Sequence, residues 1–240
     1  MPERVYSEDL WKPVKIYGNY LGYVDRRKYI CDQVEGKNVL HVGCADFPIS
    51  KERIATGELI HGQIVEHATE VMGIDTSEEG ISDLKELGYR NLHILDAADI
   101  RQLRRKFDTI FAGDVLEHMT NPSAFLEAVP DCLTPQGELL LSLPNAYSWS
   151  ILRYLKGMEP TNFEHCFCFT VKAITHLCGR FNLLPTELAF TRLPPQACES
   201  RLIWKLGNCL IRMTPRMAPT LMIKFKEKEF VNSGKYFVWR

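Results

Sequence analysis

The sequence predicts an α/β protein built on a doubly wound, mostly parallel β-sheet with helices on both faces. Three observations carry that expectation. Short apolar runs recur along the chain, helix-like segments lie between them, and each run ends in Gly, Asp or Asn at a turn-like boundary. Near-continuous apolarity marks strands buried on both faces, and strand–helix alternation is the signature of a parallel sheet.

The runs are NVLHVG (38–43), EVMGID (70–75), LHILDA (92–97), DTIFAGD (108–114) and ELLLSLPN (138–145). The segments between them carry helix punctuation. Ser77 stands at the N-cap of SEEGISDLKELG and Gly88 at its C-terminus, the residue types that satisfy orphan amides and tolerate a left-handed turn. Asn121 and Pro122 open NPSAFLEAVPDCL, and Thr170 opens VKAITHLCGRF in the same way. Ahead of Asn38, the polar-aromatic stretch GNYLGYVDRRKYICDQV reads as helical, giving an N-terminal helical cap over 1–35. After Pro194 the chain turns apolar and basic (ESRLIWKLGNCLIRMTPRMAP), and APTLMIKFKEKEF and KYFVWR then read as strands. Repeats, low-complexity tracts and long linkers are absent, so 36–240 reads as one domain, with a core over 36–193 and a cover over 194–240.

The chain has 240 residues, 45% hydrophobic and 25% charged, with a formal charge of −1. That is an ordinary globular composition, large enough to fold without disulfides or a structural metal. It has no apolar run approaching the roughly 20 residues of a membrane span, and the charges in MPERVYSEDLWKPVK occupy the place of a signal peptide's apolar core. Eight cysteines, most of them inside apolar runs, read as reduced thiols of a cytoplasmic protein. Charge is uneven all the same. From Arg201 to Arg240 nine basic residues face two acidic ones, a local charge of +7 against −8 for the remainder. The segment reads as a substrate-side cover whose lysines guard a sheet edge. Peripheral contact with a membrane or an anionic substrate is the alternative.

In such sheets the ligand lies beyond the carboxyl ends of the strands, at the switch point of the topology. Those ends are Gly43 to Asp46, Asp75, Asp96, Asp114 and Asn145. Four carry a carboxylate, able to accept hydrogen bonds from ligand hydroxyls or an amine. A dinucleotide is excluded. The turn VGCADFP has one glycine in place of G-x-G-x-x-G, and Asp75 follows Gly43 by 32 positions rather than about 20. A G-x-x-x-x-G-K-[ST] loop is also missing. A ligand with ribose hydroxyls, an adenine and a cation, but no phosphate, suits these strand ends.

At these residues the chain resembles the class I S-adenosylmethionine-dependent methyltransferases, in their ubiquinone-biosynthesis and glycan O-methyltransferase-like branch. NVLHVGCADFP resembles the family's first motif, V-L-D-I-G-C-G-x-G. VMGIDTSEEGI, HILDAADI, FDTIFAGDVLEHMTNPSAFL and LTPQGELLLSLPN resemble the motifs that follow, and NFEHCFCFTVKAITHLCGRFNL resembles the later H-x-x-x-F-[ST] segment. The likeness runs from about residue 36 to 193, with an echo in RMAPTLMIKFKEK. It implies a Rossmann-like, seven-stranded sheet and S-adenosyl-L-methionine as cofactor. Gly43, with Cys44 and Ala45, would lie against the methionine portion, where a glycine lets the backbone come close. Asp75 and Thr76 would meet the ribose, Asp96 and Ala97 the adenine, and Gly113 and Asp114 the amino group and the methyl. Three positions depart from the pattern: His41 replaces an acid, and Ala45 and Phe47 replace glycines. The crossover from Pro48 to Glu70 is also long.

Methyl transfer from a sulfonium is an in-line displacement that needs the acceptor held and, for an alcohol, a proton removed. His118, His165 and Glu117 are the candidates for that work. A helix after the fourth strand would put Asp114, Glu117 and His118 on one face. In one reading a histidine is the general base. In another, Asp114, Glu117, His118 and His165 hold Mg²⁺ or Mn²⁺, because D-x-x-E-H plus a distant His is similar to the E-x-x-E-H…H of small-RNA 2′-O-methyltransferases. In a third, Glu117 and His118 are scaffold. Glu164–His165–Cys166–Phe167–Cys168 lacks the paired C-x₂₋₄-C spacing of a zinc site. The function expected is O-methylation of a hydroxyl on a small molecule or glycan. The charge of −1 and the missing RNA module weigh against nucleic acid. A metal-dependent RNA 2′-O-methyltransferase and a catalytically silent scaffold of the same fold are the alternatives.

Overall fold

The computed structural model describes residues 19–151, 157, 164–192 and 201–227. Its strands are β1 (Asn19–Tyr23), β2 (Asn38–Val42), β3 (Glu70–Asp75), β4 (Leu92–Ile94), β5 (Phe107–Gly113), β6 (Leu133–Pro144), β7 (Leu183–Thr191) and β8 (Thr220–Glu227). Its α-helices are α1 (Arg26–Val34), α2 (Ser50–Ala55), α3 (Ile60–His67), α4 (Glu78–Glu86), α5 (Pro122–Cys132), α6 (Val171–Gly179) and α7 (Arg201–Met213). Short 3₁₀ segments cover Ala97–Leu103 and Pro215–Met217. The strands form one sheet in the order β1-β7-β8-β6-β5-β2-β3-β4. Only β8 runs against its neighbours, β6 and β7.

This is the doubly wound, Rossmann-like α/β fold the sequence predicts, with eight strands rather than seven. The extra strand is β1, inside the stretch expected to be helical. Asn19–Tyr23 pairs in parallel with Glu187–Phe190 of β7, and the expected helix begins only at Arg26, capped by the Asp25 carboxylate on the Lys28 amide. Aromatic NYLGY fits a pleated edge as well as a helix, so its partner strand decides. The remainder of the expected N-terminal cap, 1–18, and the strand expected in KYFVWR lie outside the described residues.

Continuous apolarity follows from burial on both faces. Leu139, Leu141 and Leu143 of β6 join Phe125, Val129 and Ile174 on one side. Leu140, between them, packs with Tyr29, Ile30 and Ile64 on the other, as the two-residue period of a strand requires. Caps stand where they were expected. Ser77 accepts from the Gly80 amide, Thr170 from the Ala173 amide, and Gly88 follows α4 at φ +92°. Asn121 occupies the cap of α5, but its side chain makes no capping bond.

β8 corrects the expected edge. It is an inner strand, and its lysines meet acids of the neighbouring strands: Lys224 Nζ is 3.6 Å from Glu187 and 3.7 Å from Glu138, and Lys226 Nζ is 3.2 Å from Glu138. These cations close the sheet rather than guard it.

Candidate active site

The winding direction reverses between β2 and β5, which are parallel neighbours with Val42 opposite Ala112. A cavity of about 800 Å³ opens there, at the carboxyl ends of the strands, where a switch point leaves room for a ligand. Of the residues singled out in the sequence, Gly43, Asp75, Thr76, Gly113, Asp114, Glu117, His118 and His165 line it.

At one end the turn after β2 is tied down by backbone bonds from the Gly43 and Cys44 amides to the Ile74 carbonyl, 2.9 and 3.1 Å. Gly43 sits at φ +73°, and a Cβ there would run into Val115 Cγ2. The Asp75 carboxylate accepts from the Ala45 amide through Oδ2 (3.0 Å) and from the Ser77 amide through Oδ1 (2.9 Å). Each oxygen keeps a second lone pair, so one carboxylate can still take two hydroxyls. Ala45, in place of a motif glycine, is fully buried. Its methyl is accommodated by Gly80 of α4, where an added Cβ would come within 2.7 Å of it. Cys44 does not line the cavity, and burial pushes its thiol up. Asp96 and Ala97 do not line it either: the exposed Asp96 caps the 3₁₀ segment through the Ala98 amide at 2.8 Å, and Ala97 is buried in the core.

His41, the third departure, is buried with His61 of α3. Their Nδ1 atoms lie 3.1 Å apart and their rings stack at 5.3 Å. Burial holds His41 well below the usual histidine range and lowers His61 to about 4. The long crossover thus supplies a neutral partner where the family carries an acid.

At the other end, the segment after β5 is a turn, not the expected helix. Asp114 takes φ +54° and its amide donates to the Ser142 carbonyl at 2.8 Å. Helical spacing therefore does not explain the cluster; the tertiary fold assembles it. The Glu117 carbonyl accepts from the Cys166 and Phe167 amides (2.7 and 3.2 Å), and Asn145 bridges to Phe169. Those bonds fix the 164–169 segment and bring His165 edge-on to His118, ring centroids 4.7 Å apart at 90°.

Glu117 is 1% exposed. Both of its carboxylate oxygens, and His165 Nδ1, are buried with no hydrogen-bond partner, a costly condition for a native polar group. One ligand atom each from Glu117, His118 and His165 lies within 4.8 Å of the others. Burial, then the charge of Asp114, pushes the Glu117 carboxyl up to about 8. Burial, then His118, lowers His165 from the usual histidine range, which favours its uncharged form. Cys166 and Cys168 are exposed thiols and do not belong to that cluster.

Two charged residues at the site carry no sequence signal of their own. Arg26 of α1, 8% exposed, donates to Asp114 at 2.7 Å and to Ser142 Oγ at 3.2 Å. Arg53 of α2 donates to Asp46 at 2.6 Å, and both line the cavity. Asp46 is one of the strand-end carboxylates expected from the sequence, but the two arginines are ordinary helix positions until the fold aims them.

The fold and this switch-point cavity define a class, and the comparisons agree with it: residues 23–188 match the family model described as a methyltransferase domain, and the chain belongs to that family. Among curated relatives, the ubiquinone biosynthesis O-methyltransferase of Dechloromonas aromatica is 30% identical over 168 residues, 64% of this chain and 61% of the relative. The enzyme of the same name from Idiomarina loihiensis is 28% identical over 180 residues, 74% of this chain and 68% of the relative. The chain thus spans a little under or over two thirds of these relatives. Among solved structures, an S-adenosylmethionine-dependent methyltransferase from Archaeoglobus fulgidus shares the fold with a TM-score of 0.57 at 16% identity, covering 83% of this chain and 90% of that one.

Proposed function

We propose that the protein is an S-adenosylmethionine-dependent methyltransferase acting on a hydroxyl oxygen of a small molecule. The observation that carries the reading is one cavity with the Gly43–Asp75 cradle at one end and the Glu117–His118–His165 cluster at the other. The cradle fits the cofactor. The left-handed glycine turn leaves space that a Cβ would fill, and Asp75 keeps acceptor capacity for two ribose hydroxyls. Asp114, which lines the cavity and is held by Arg26 behind it, offers a carboxylate to the amino group of its methionine portion. The sulfonium supplies an activated methyl and leaves as a neutral thioether. The relatives' names favour oxygen as acceptor and a small molecule over a glycan.

The protein's own work is to hold the acceptor hydroxyl in line and take its proton. His165 does this as general base, since burial favours its uncharged form, and His118 braces its ring. Glu117 is largely protonated near neutral pH and can lend its O–H to either imidazole. A base so placed contributes about 10²–10⁴-fold to rate. Among the described residues no helix is long and apolar enough to cross a membrane.

A second reading is favoured by the unpartnered Glu117 oxygens and His165 Nδ1: these, with His118 and the adjacent Asp114, would hold a divalent cation that polarises the acceptor hydroxyl. The residues fit a small oxygen–nitrogen site for Mg²⁺ or Mn²⁺. The test is transfer of labelled methyl to a panel of phenolic and aliphatic hydroxyl compounds, with and without chelator. Transfer that survives chelation and falls with His165→Ala supports the general base. Transfer restored only by Mg²⁺ or Mn²⁺ supports the metal. Labelling of RNA alone, or of nothing despite cofactor binding, defeats the small-molecule reading.

A further inference from the structure

Two exposed thiols stand at the Glu117–His118–His165 end of the cavity and take no part in the proposed chemistry. Cys168 lines the cavity, and Cys166 Sγ donates to the His118 carbonyl at 3.7 Å. Elsewhere among the described residues the cysteines are buried, apart from Cys209 on α7. A buried thiol behaves as a small apolar side chain. Packing does not account for two exposed ones, one residue apart, beside His165.

The backbone puts both sulfurs on one side. The rings of Phe167 and Phe169 stack with centroids 5.8 Å apart, and Phe169 belongs to the main core cluster. Side chains alternate along extended chain, so with the two phenyl rings on one side Cys166 and Cys168 share the other. Two residues of extended chain span about 6.7 Å, and a disulfide prefers Cα atoms about 5.5–6 Å apart. A bridge between the two is therefore within reach, but it shortens the segment by about 1 Å.

That shortening falls on the bonds that assemble the site. The amides of Cys166 and Phe167 grip the Glu117 carbonyl at 2.7 and 3.2 Å, and His165 directly precedes them. A displacement of about 1 Å carries such bonds out of the range in which they hold. We propose that Cys166 and Cys168 are a redox pair, closed to a disulfide by exchange with a small-molecule disulfide, and that closure switches the site off by drawing His165 away from His118 and Glu117. In the exchange one cysteine sulfur attacks the small disulfide as its proton passes to solvent, and one small thiol leaves, taking up a proton. The second cysteine then attacks the mixed disulfide, loses its proton and releases the second small thiol. Two protein thiols are oxidised to one disulfide, and the small disulfide is reduced to two thiols. The bridge itself stands apart from the proposed methyl transfer; only its effect on rate rests on that reading.

Glutathione disulfide, added to the reduced full chain, tests the proposal. It should leave the peptide that holds Cys166 and Cys168 lighter by two hydrogens, and dithiothreitol should reverse the change. In the oxidised protein the Cys166 and Phe167 amides should lose protection in hydrogen exchange, a readout that needs no acceptor. Methyl transfer should fall about 10²-fold, the cost of a displacement of about 1 Å at a positioned group, and return with dithiothreitol. Cys166→Ser and Cys168→Ser should each carry a glutathione adduct on the remaining cysteine in place of the bridge. The double variant should keep its own amide protection and its own rate when glutathione disulfide is added. Adducts on both cysteines without a bridge, a bridge to Cys209, or a Cys166–Cys168 bridge that leaves amide protection and rate unchanged overturns the proposal. A reversible bridge with loosened amides, in a protein that transfers no methyl even when reduced, would support the redox pair and count against the proposed function instead.

Discussion

Replacing Glu117 by glutamine should stabilise the protein, and increasingly so as pH rises. The carboxyl is buried without a hydrogen-bond partner, and its pKa moves from 4.5 when solvated to about 8 in the fold. A raised folded value means that the native state holds the proton more tightly. The associated stability is therefore complete below about pH 4.5 and is lost as pH rises through 8. Between about pH 5 and pH 8.5 that loss is about 4 kcal/mol for the parent protein, from 1.36 kcal/mol per pKa unit. Glutamine keeps the shape and cannot ionise. Urea unfolding at the two pH values should show parent and variant within about 1 kcal/mol of each other at pH 5, with the variant ahead by several kcal/mol at pH 8.5. Parallel pH dependences for the two proteins would refute the assignment of a strained, desolvated carboxyl. If a cation belongs at the site, excess Mn²⁺ should remove the parent's alkaline loss and leave Glu117→Gln unaffected.

Asp75→Ala should abolish binding of S-adenosylhomocysteine in calorimetry and, since two backbone amides lose their acceptor, lower stability by about 2–4 kcal/mol in urea unfolding. His165→Ala should reduce turnover about 10²–10⁴-fold with little change in cofactor affinity, and equal rates would return His165 to a structural role. Gly43→Ala places a side chain at a left-handed position costing about 1–2 kcal/mol and drives it into Val115, so cofactor binding and thermal midpoint should fall together. Burial depresses His61 to about 4 from 6.5, so its share of stability is present above pH 6.5 and lost as pH falls toward 4, about 3 kcal/mol in all. NMR titration should show His61 and His41 neutral at pH 5.5, and a normal midpoint near 6.5 for either would contradict their burial.

The parts of this fold that were legible in the sequence are those fixed by local chemistry. Leu139 to Leu143 need apolar partners on both faces whatever helices supply them, and Ser77 and Thr170 cap where they stand. β1 was not legible, because Asn19–Tyr23 is a strand only by pairing with β7, more than 160 positions away in the chain. The inner position of β8 was hidden for the same reason: Lys224 and Lys226 look like guards of an exposed edge until Glu138 and Glu187 arrive beside them. In the site, Gly43 and Asp75 could be read from strand ends, and the meeting of Glu117, His118 and His165 from their types. The bonds that assemble them could not, since the Glu117 carbonyl is gripped by amides nearly 50 residues on. Asp96 shows the limit in the other direction. It has the residue type of a ligand contact at a strand end, but it stands outside the cavity lining, and one of its oxygens caps the next turn.

The central claim is that the altered turn VGCADFP still makes a cofactor site. Calorimetric titration of the folded protein with S-adenosylhomocysteine tests it most directly. The account predicts saturable binding at micromolar concentration, lost in Asp75→Ala. Absence of heat at high ligand concentration, from a sample shown to be folded by cooperative unfolding, would contradict it and leave a methyltransferase-fold protein whose cavity serves another ligand.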